Sequence, residues 1–425
     1  MSQEINKTEH QDLDSVVRAI GTDLEHTQVR LIASANADML FHYWKVGHFI
    51  LYLQKKEGWG RKVIDNLSKA IRSKYPDKKG YSRRNIFYMC QFANAYPLEV
   101  LKEMDRIDSL LTTPTVEKVL SLTNELNQIV QQPVALIQAT ENQSITITQQ
   151  PVAQLEEVTE TLSAIYHCDI SQIEESFKHS AIVRTNWASH VILLNSKLPL
   201  GECYWYITQS VANGWSRNVL QVEIETNLFA RQITAKKVSN FSARLPKPQS
   251  DLANYLMKDP YIFDMMGQTD KMAERDIERQ LVSHITKYLL EMGSGFAFVA
   301  QQKHFEVGDS DFYADLILYN IQLHAYVVVE LKATPFKPEY MGQLNFYVNV
   351  VDDTLRGEHD NKTIGLLLCN GGDKVVAQYA LSGYDQPIGV SDYQLSKAIP
   401  DNLKSALPTV EEVEEELSKI VDKNI

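Results

Sequence analysis

Asp311–Lys332 reads DFYADLILYNIQLHAYVVVELK. Two hydrophobic runs, Phe312–Tyr319 and Ala325–Lys332, flank the short polar connection Asn320–His324. Both runs are rich in Val, Ile, Leu, Tyr and Phe and too short for typical helices, so both are predicted strands. Side chains alternate faces along a strand. Tyr313, Asp315, Ile317 and Tyr319 then share one face of the first strand, while Glu330 and Lys332 point the same way with Leu331 opposite. The connection is short enough for a hairpin, which lets two carboxylates and one ammonium converge at one sheet end.

Charged groups are rarely buried unless they are paired or bind a metal. The ordinary reading is an Asp and a Glu at strand ends, with a salt bridge to Lys332. The chemical reading is a metal site, because two hard carboxylate oxygens suit Mg²⁺, which keeps several waters in its octahedral shell. A nearby Lys can stabilise a pentavalent phosphate or orient the attacking water.

The elements around the stretch favour the chemical reading. Ala273–Glu291 is a predicted helix whose Ile277, Leu281, Ile285 and Leu289 form one apolar stripe, with Glu278 beside it. Strands follow at Phe296–Gln301 and Lys303–Val307, then a turn at Gly308–Ser310. After Lys332 comes Pro335–Pro338, then a helix over Tyr340–Val351 in which Gln343 and Tyr347 share a face by their four-residue spacing. A strand is predicted at Thr363–Leu368.

This order resembles the PD-(D/E)XK nuclease superfamily, in which the first helix gives a Glu, two strands give D and (D/E)xK, and the next helix gives Gln and Tyr. The segments GFAFV, DLILYN, VVVELK, FKPEYMGQLNFYVNVVDD and TIGLLLC further resemble the C-terminal half of the bacterial YhcG-like family. Ala314 stands where the superfamily has the Pro of its PD. The resemblance implies an α+β protein overall, with an all-α N-terminal domain and an α/β, restriction-endonuclease-like C-terminal domain. It implies a catalytic set of Glu278, Asp315, Glu330, Lys332, Gln343 and Tyr347. Asp315 and Glu330 would hold Mg²⁺ or Mn²⁺, with the Leu331 carbonyl as a further ligand. Lys332 would orient water or stabilise the transition state, and Glu278 would bind a water or a second ion. Gln343 would position Lys332 or the backbone phosphate.

The chain has 425 residues, 44% hydrophobic and 23% charged, a soluble globular composition with room for two or three domains. No uncharged apolar run approaches the roughly 20 residues that span a bilayer, so no membrane partner is expected. The polar start MSQEINKTEHQDLDSVV is unlike a secretory signal. Cys90, Cys168, Cys203 and Cys369 are scattered without a CxxC pair, which speaks against structural zinc and a disulfide framework. A cytoplasmic location is expected.

The formal net charge is −12. Against it, Lys55–Arg84 holds eleven Lys or Arg and only Glu57, Asp65 and Asp77. Within this stretch a helix is predicted over Arg61–Lys74, a turn at Tyr75–Gly80, and a second helix over Arg83–Ala95 capped by Ser82. Helix, short turn and helix form a helix-turn-helix-like unit. Basic residues at a helix start can meet phosphates through side chains and free backbone N–H groups. Arg61, Lys62, Lys69, Arg72, Ser82, Arg83 and Arg84 are therefore the DNA-contact candidates, against the alternative of a solvated helical face. Arg217 joins them through the echo of Gly58-Trp59-Gly60-Arg61 in Gly214-Trp215-Ser216-Arg217, and Arg231 could extend a basic surface. The segments GWGRKVIDNLSKAI and GYSRRNIFYMCQFANAYP also resemble the N-terminal domain of the YhcG-like family.

The expected domains are a helical DNA-binding part at 13–240, a linker at 241–259, a nuclease domain at 260–405 and an acidic amphipathic helix at 409–425. The linker reading rests on polar sequence with Pro246 and Pro248; a Gln- and Thr-rich mobile insertion is expected at 116–161, where Gln-Gln-Pro-Val occurs twice. The expected activity is metal-dependent hydrolysis of phosphodiester bonds in DNA. The alternative is a non-catalytic DNA-binding or assembly subunit that keeps the nuclease fold. A homo-oligomer, or a partner in a restriction or mobile-element system, would suit either.

Overall fold

In the computed structural model, the described residues are 33–52, 62–131, 155–264, 289, 291–293 and 295–396. Glu278, Arg61, most of the Ala273–Glu291 helix and the expected C-terminal helix lie outside them. The described residues fall into two compact units. The first runs to Ser109 and includes Asn124–Ile207; the second comprises Leu110–Thr123 and Thr208 onward.

The first unit is all helical. Residues 33–52 form a helix, followed by Lys62–Lys74 and Arg83–Ala95. Ile64 and Leu67 pack against buried Ile86, Met89 and Cys90, so the apolar stripes of the last two helices face each other. Lys69, Arg72 and Lys74 are left exposed on the other side. As expected, Ser82 caps Arg83–Ala95, its hydroxyl accepting from the Asn85 N–H at 3.1 Å. A side chain at Gly47 would lie 2.1 Å from the Met89 carbonyl oxygen, so glycine lets the first helix reach the backbone of Arg83–Ala95.

The expected insertion at 116–161 carries a helix at each flank. Val116–Gln131 and Leu155–Tyr166 are helices, and Val119, Leu122 and Leu126 are buried, so apolar spacing outweighs the polar composition. Residues 132–154 lie outside the described part.

The second unit is built on a mixed sheet. Its strands are β1 (Val238–Ser239), β2 (Tyr261–Asp264), β3 (Phe296–Val307), β4 (Ser310–Asn320), β5 (Ala325–Lys332), β6 (Ile364–Cys369) and β7 (Ile388–Ser396). The order is β1-β7-β6-β5-β4-β3, with β2 also on β7. β3, β4 and β5 form an antiparallel meander, and β5, β6 and β7 run parallel. The predicted hairpin is therefore β4–β5. The two short strands read at Phe296–Gln301 and Lys303–Val307 are one strand, irregular at Phe298–Ala300 and at Gln302, whose φ is +44°.

Both sheet faces are covered, which matches the nearly continuous burial of β5 and β6. On one face the helix Glu339–Thr354 buries Met341, Leu344, Tyr347, Val348 and Val351 against Ile317, Val328 and Leu367. The close approach is set at Gly365, where a β-carbon would lie 2.9 Å from Val348 Cγ2. On the other face Leu316, Leu318, Val329 and Leu331 meet Phe241, Leu245, Ala253 and Met257. The stretch read as a linker is thus part of this core. It forms the helices Phe241–Arg244 and Gln249–Leu256, and β1 just before it pairs with β7. Four apolar anchors decide its fate, not its average polarity.

Candidate active site at the strand ends

The β4–β5 ladder ends at Leu316–Val329. Asp315 is the next residue of β4, and its side chain takes over where the main-chain pairing stops. The Leu331 N–H donates to Asp315 Oδ2 at 3.1 Å. From the other side, Gln302 of β3 donates its Nε2 to Oδ1 at 3.1 Å. The half-buried carboxylate is held between two neighbouring strands.

Glu330 and Lys332 occupy the end of β5. Glu330 is fully buried and Lys332 nearly so, and Lys332 Nζ donates to Glu330 Oε1 at 2.8 Å. An isolated charge at either position would be costly; the pair offsets that cost. Lys332 Nζ also lies 5.6 Å from the centroid of the Tyr340 ring, within cation–π range. The Tyr340 hydroxyl is 2.6 Å from Thr334 Oγ1, which places the start of the Glu339–Thr354 helix beside the residues that follow β5. The loops after β5 and β6 are tied by Asn370 N–H to the Thr334 carbonyl at 3.2 Å.

Asp315 thus meets the β5 main chain at Leu331, the residue between Glu330 and Lys332, which pair with each other. Gln343 is exposed on the helix. Tyr347, expected beside it, is 6% exposed and packs into the helix–sheet core. The four-residue spacing put both on one helical side and said nothing about depth. Tyr340, two turns before Tyr347, is the aromatic ring that meets Lys332; the same helical periodicity would have found it. Gln302 was also missed, although it fell in the gap between the two strands read from sequence.

No group of three or more His, Cys, Asp or Glu positioned for a metal occurs among the described residues. The donor set still fits a hard divalent cation. Mg²⁺ is commonly held by one or two carboxylates with waters completing the shell. Asp315 and Glu330 supply two carboxylates, whose hard oxygens each carry two lone pairs.

The nucleic-acid candidates are placed as follows. Lys69, Arg72, Arg83 and Arg84 are exposed in the first unit. Arg83 Nε pairs with Asp65 at 2.9 Å, and Arg84 lies against Tyr88, 5.7 Å from its ring centroid. Ser82 is used as the helix cap. Arg217 is exposed in the second unit, at the start of a helix capped by Ser216. Arg61 and the Lys62 side chain lie outside the described residues. Arg231 is not part of any surface. It is buried and bonds Glu291 at 2.6 Å and Glu223 at 3.4 Å. Burial pushes the Glu223 carboxyl above its ordinary pKa.

Residues 254–408 match the family model described as YhcG PDDEXK nuclease domain, and residues 19–123 match the DUF1016 N-terminal domain. In these two parts the chain is similar to the YhcG-like family. The Escherichia coli (strain K12) protein named "Putative nuclease YhcG" is 28% identical over 203 residues, 48% of this chain. The chain spans about half of that relative, 54% of its length. A repair endonuclease from Pyrococcus abyssi overlaps 31% of this chain and 50% of its own, at 14% identity and a TM-score of 0.21. The span that matches the nuclease-domain model runs from the Gln249–Leu256 helix through β7, so it includes Asp315, Glu330 and Lys332.

Proposed function

We propose that the protein is a divalent-metal-dependent DNA nuclease whose helical unit supplies the main phosphate-binding surface. The observation that carries this reading is the Asp315 carboxylate tied to the β5 main chain at Leu331, between Glu330 and Lys332. Matches to a nuclease family model support it.

Asp315 and Glu330 are the residues that would hold Mg²⁺ or Mn²⁺. When bound, the ion supplies Lewis-acid charge at the scissile phosphate. Lys332 offers three N–H donors and a positive charge. One donor is directed at Glu330; in the reaction the ammonium would stabilise charge on the pentavalent phosphate or orient the attacking water. The Tyr340 ring limits the directions open to the ammonium, which favours a fixed geometry over a mobile lysine. Gln343, exposed on the same helix, is free to meet a DNA backbone phosphate, while Tyr347 supports that helix from within.

On the helical unit, Lys69, Arg72, Arg83 and Arg84 would neutralise phosphates; Arg217, exposed on the second unit, is a separate candidate contact. Such contacts position a duplex without reading its sequence.

The test is incubation of the purified chain with supercoiled, linear, single-stranded and branched DNA in Mg²⁺, Mn²⁺ or EDTA. Cleavage with either metal and none in EDTA is expected. DNA binding without cleavage of any form would favour the non-catalytic subunit instead.

A further inference from the structure

Gln302 stands out in the second unit. Its φ is +44°, in the left-handed region that residues with a β-carbon adopt at a cost. It lies where the β3–β4 pairing is interrupted: Gln301 pairs with Leu316 and Lys303 with Ala314, leaving Gln302 across from Asp315. Its amide Nε2 is 3.1 Å from Asp315 Oδ1. If the strand needed only a kink, glycine would make it without strain. A glutamine adds a donor that reaches the carboxylate.

We infer that Gln302 is a positioning residue for Asp315, holding that carboxylate in the orientation a divalent cation needs. The inference rests on the metal-dependent reading of the site. The Leu331 N–H fixes Oδ2 from β5, and the Gln302 amide fixes Oδ1 from β3. Two donors on two strands define both the rotamer and the plane of the carboxylate. The carboxylate then faces a set direction before any ion arrives. Partners that orient ligating carboxylates govern metal affinity, and their loss typically weakens binding by about 10–100-fold. Gln302 is exposed, as a group at the mouth of a reachable site must be.

The test uses the full chain and its Gln302→Ala and Gln302→Gly variants. Mn²⁺ affinity is measured by calorimetric titration and thermal stability by the melting temperature. The expected result is Mn²⁺ affinity reduced at least about tenfold in both variants, with the melting temperature of Gln302→Gly equal to or above wild type, because glycine relieves the strained φ. Unchanged Mn²⁺ affinity would overturn the inference and leave the metal site standing. Weaker affinity accompanied by a lower melting temperature in both variants would also overturn it, since the residue would then be a structural bulge. A wild-type chain that binds no Mn²⁺ would remove the metal reading and this inference together.

Discussion

Lys332 has two demands on one ammonium. It must neutralise the buried Glu330 carboxylate 2.8 Å away, and in the proposed reaction it must face a phosphate. Removing one partner of a buried ion pair strands the other and costs about 3–5 kcal/mol. Lys332→Met is thus expected to lower both the denaturation midpoint and cleavage. Glu330→Gln/Lys332→Met is expected to recover much of the midpoint without recovering cleavage. A double variant as unstable as the single one would contradict the coupling. That Glu330 and Lys332 share a face was legible because a period of two decides the face of a strand residue. The helix residues were less so. A four-residue spacing groups Gln343 with Tyr347, yet one is exposed and the other lies in the core.

The helix Lys62–Lys74, the turn and the helix Arg83–Ala95 came out of the sequence with nearly their observed bounds. Their signals are local: an apolar stripe, a proline turn, and a serine cap. Neutralising Lys69, Arg72, Arg83 and Arg84 is expected to weaken DNA binding on every sequence. It should also reduce the slope of log affinity against log salt by up to about four, one unit per lost phosphate contact; an unchanged slope would place the contacts elsewhere. The 241–259 stretch misled because its prolines and polar residues are local, whereas the reason it folds is distant. Phe241 and Met257 are buried in the core that lies over β4, β5 and β6. Limited proteolysis is expected to spare Phe241–Asp259; early cleavage there would contradict this packing. Arg231 misled in the same way, since charge alone does not reveal the buried Glu223 and Glu291 that pair with it.

At the scale of the whole molecule, the two units should answer acid differently. Burial lowers the pKa of His48 and of His190, both in the helical unit, to about 4. Unfolded histidine takes up a proton near pH 6.5, so the unfolded chain binds protons that the fold refuses. The stability associated with neutral His48 and His190 is complete above about pH 6.5 and is lost as pH falls toward 4. At pH 5 each should cost about 2 kcal/mol. Denaturation of the full chain at pH 7 and pH 5 is expected to show the helical transition moving to lower denaturant, and a midpoint unchanged between the two would contradict the buried neutral rings. Neither shift was legible in the sequence, where a histidine at either position could equally face solvent.

Asp315 is the carboxylate on which the proposed chemistry depends. The most direct measurement is the single-turnover cleavage rate of DNA in Mg²⁺ for the full chain and for Asp315→Asn, with DNA affinity measured in parallel. Losing a ligand carboxylate should remove several kcal/mol of transition-state stabilisation. Each ~1.4 kcal/mol is tenfold in rate, so cleavage is expected to fall by roughly a thousandfold or more while DNA affinity holds. Equal rates for the two proteins would contradict the assignment of the strand-end carboxylates as the active site.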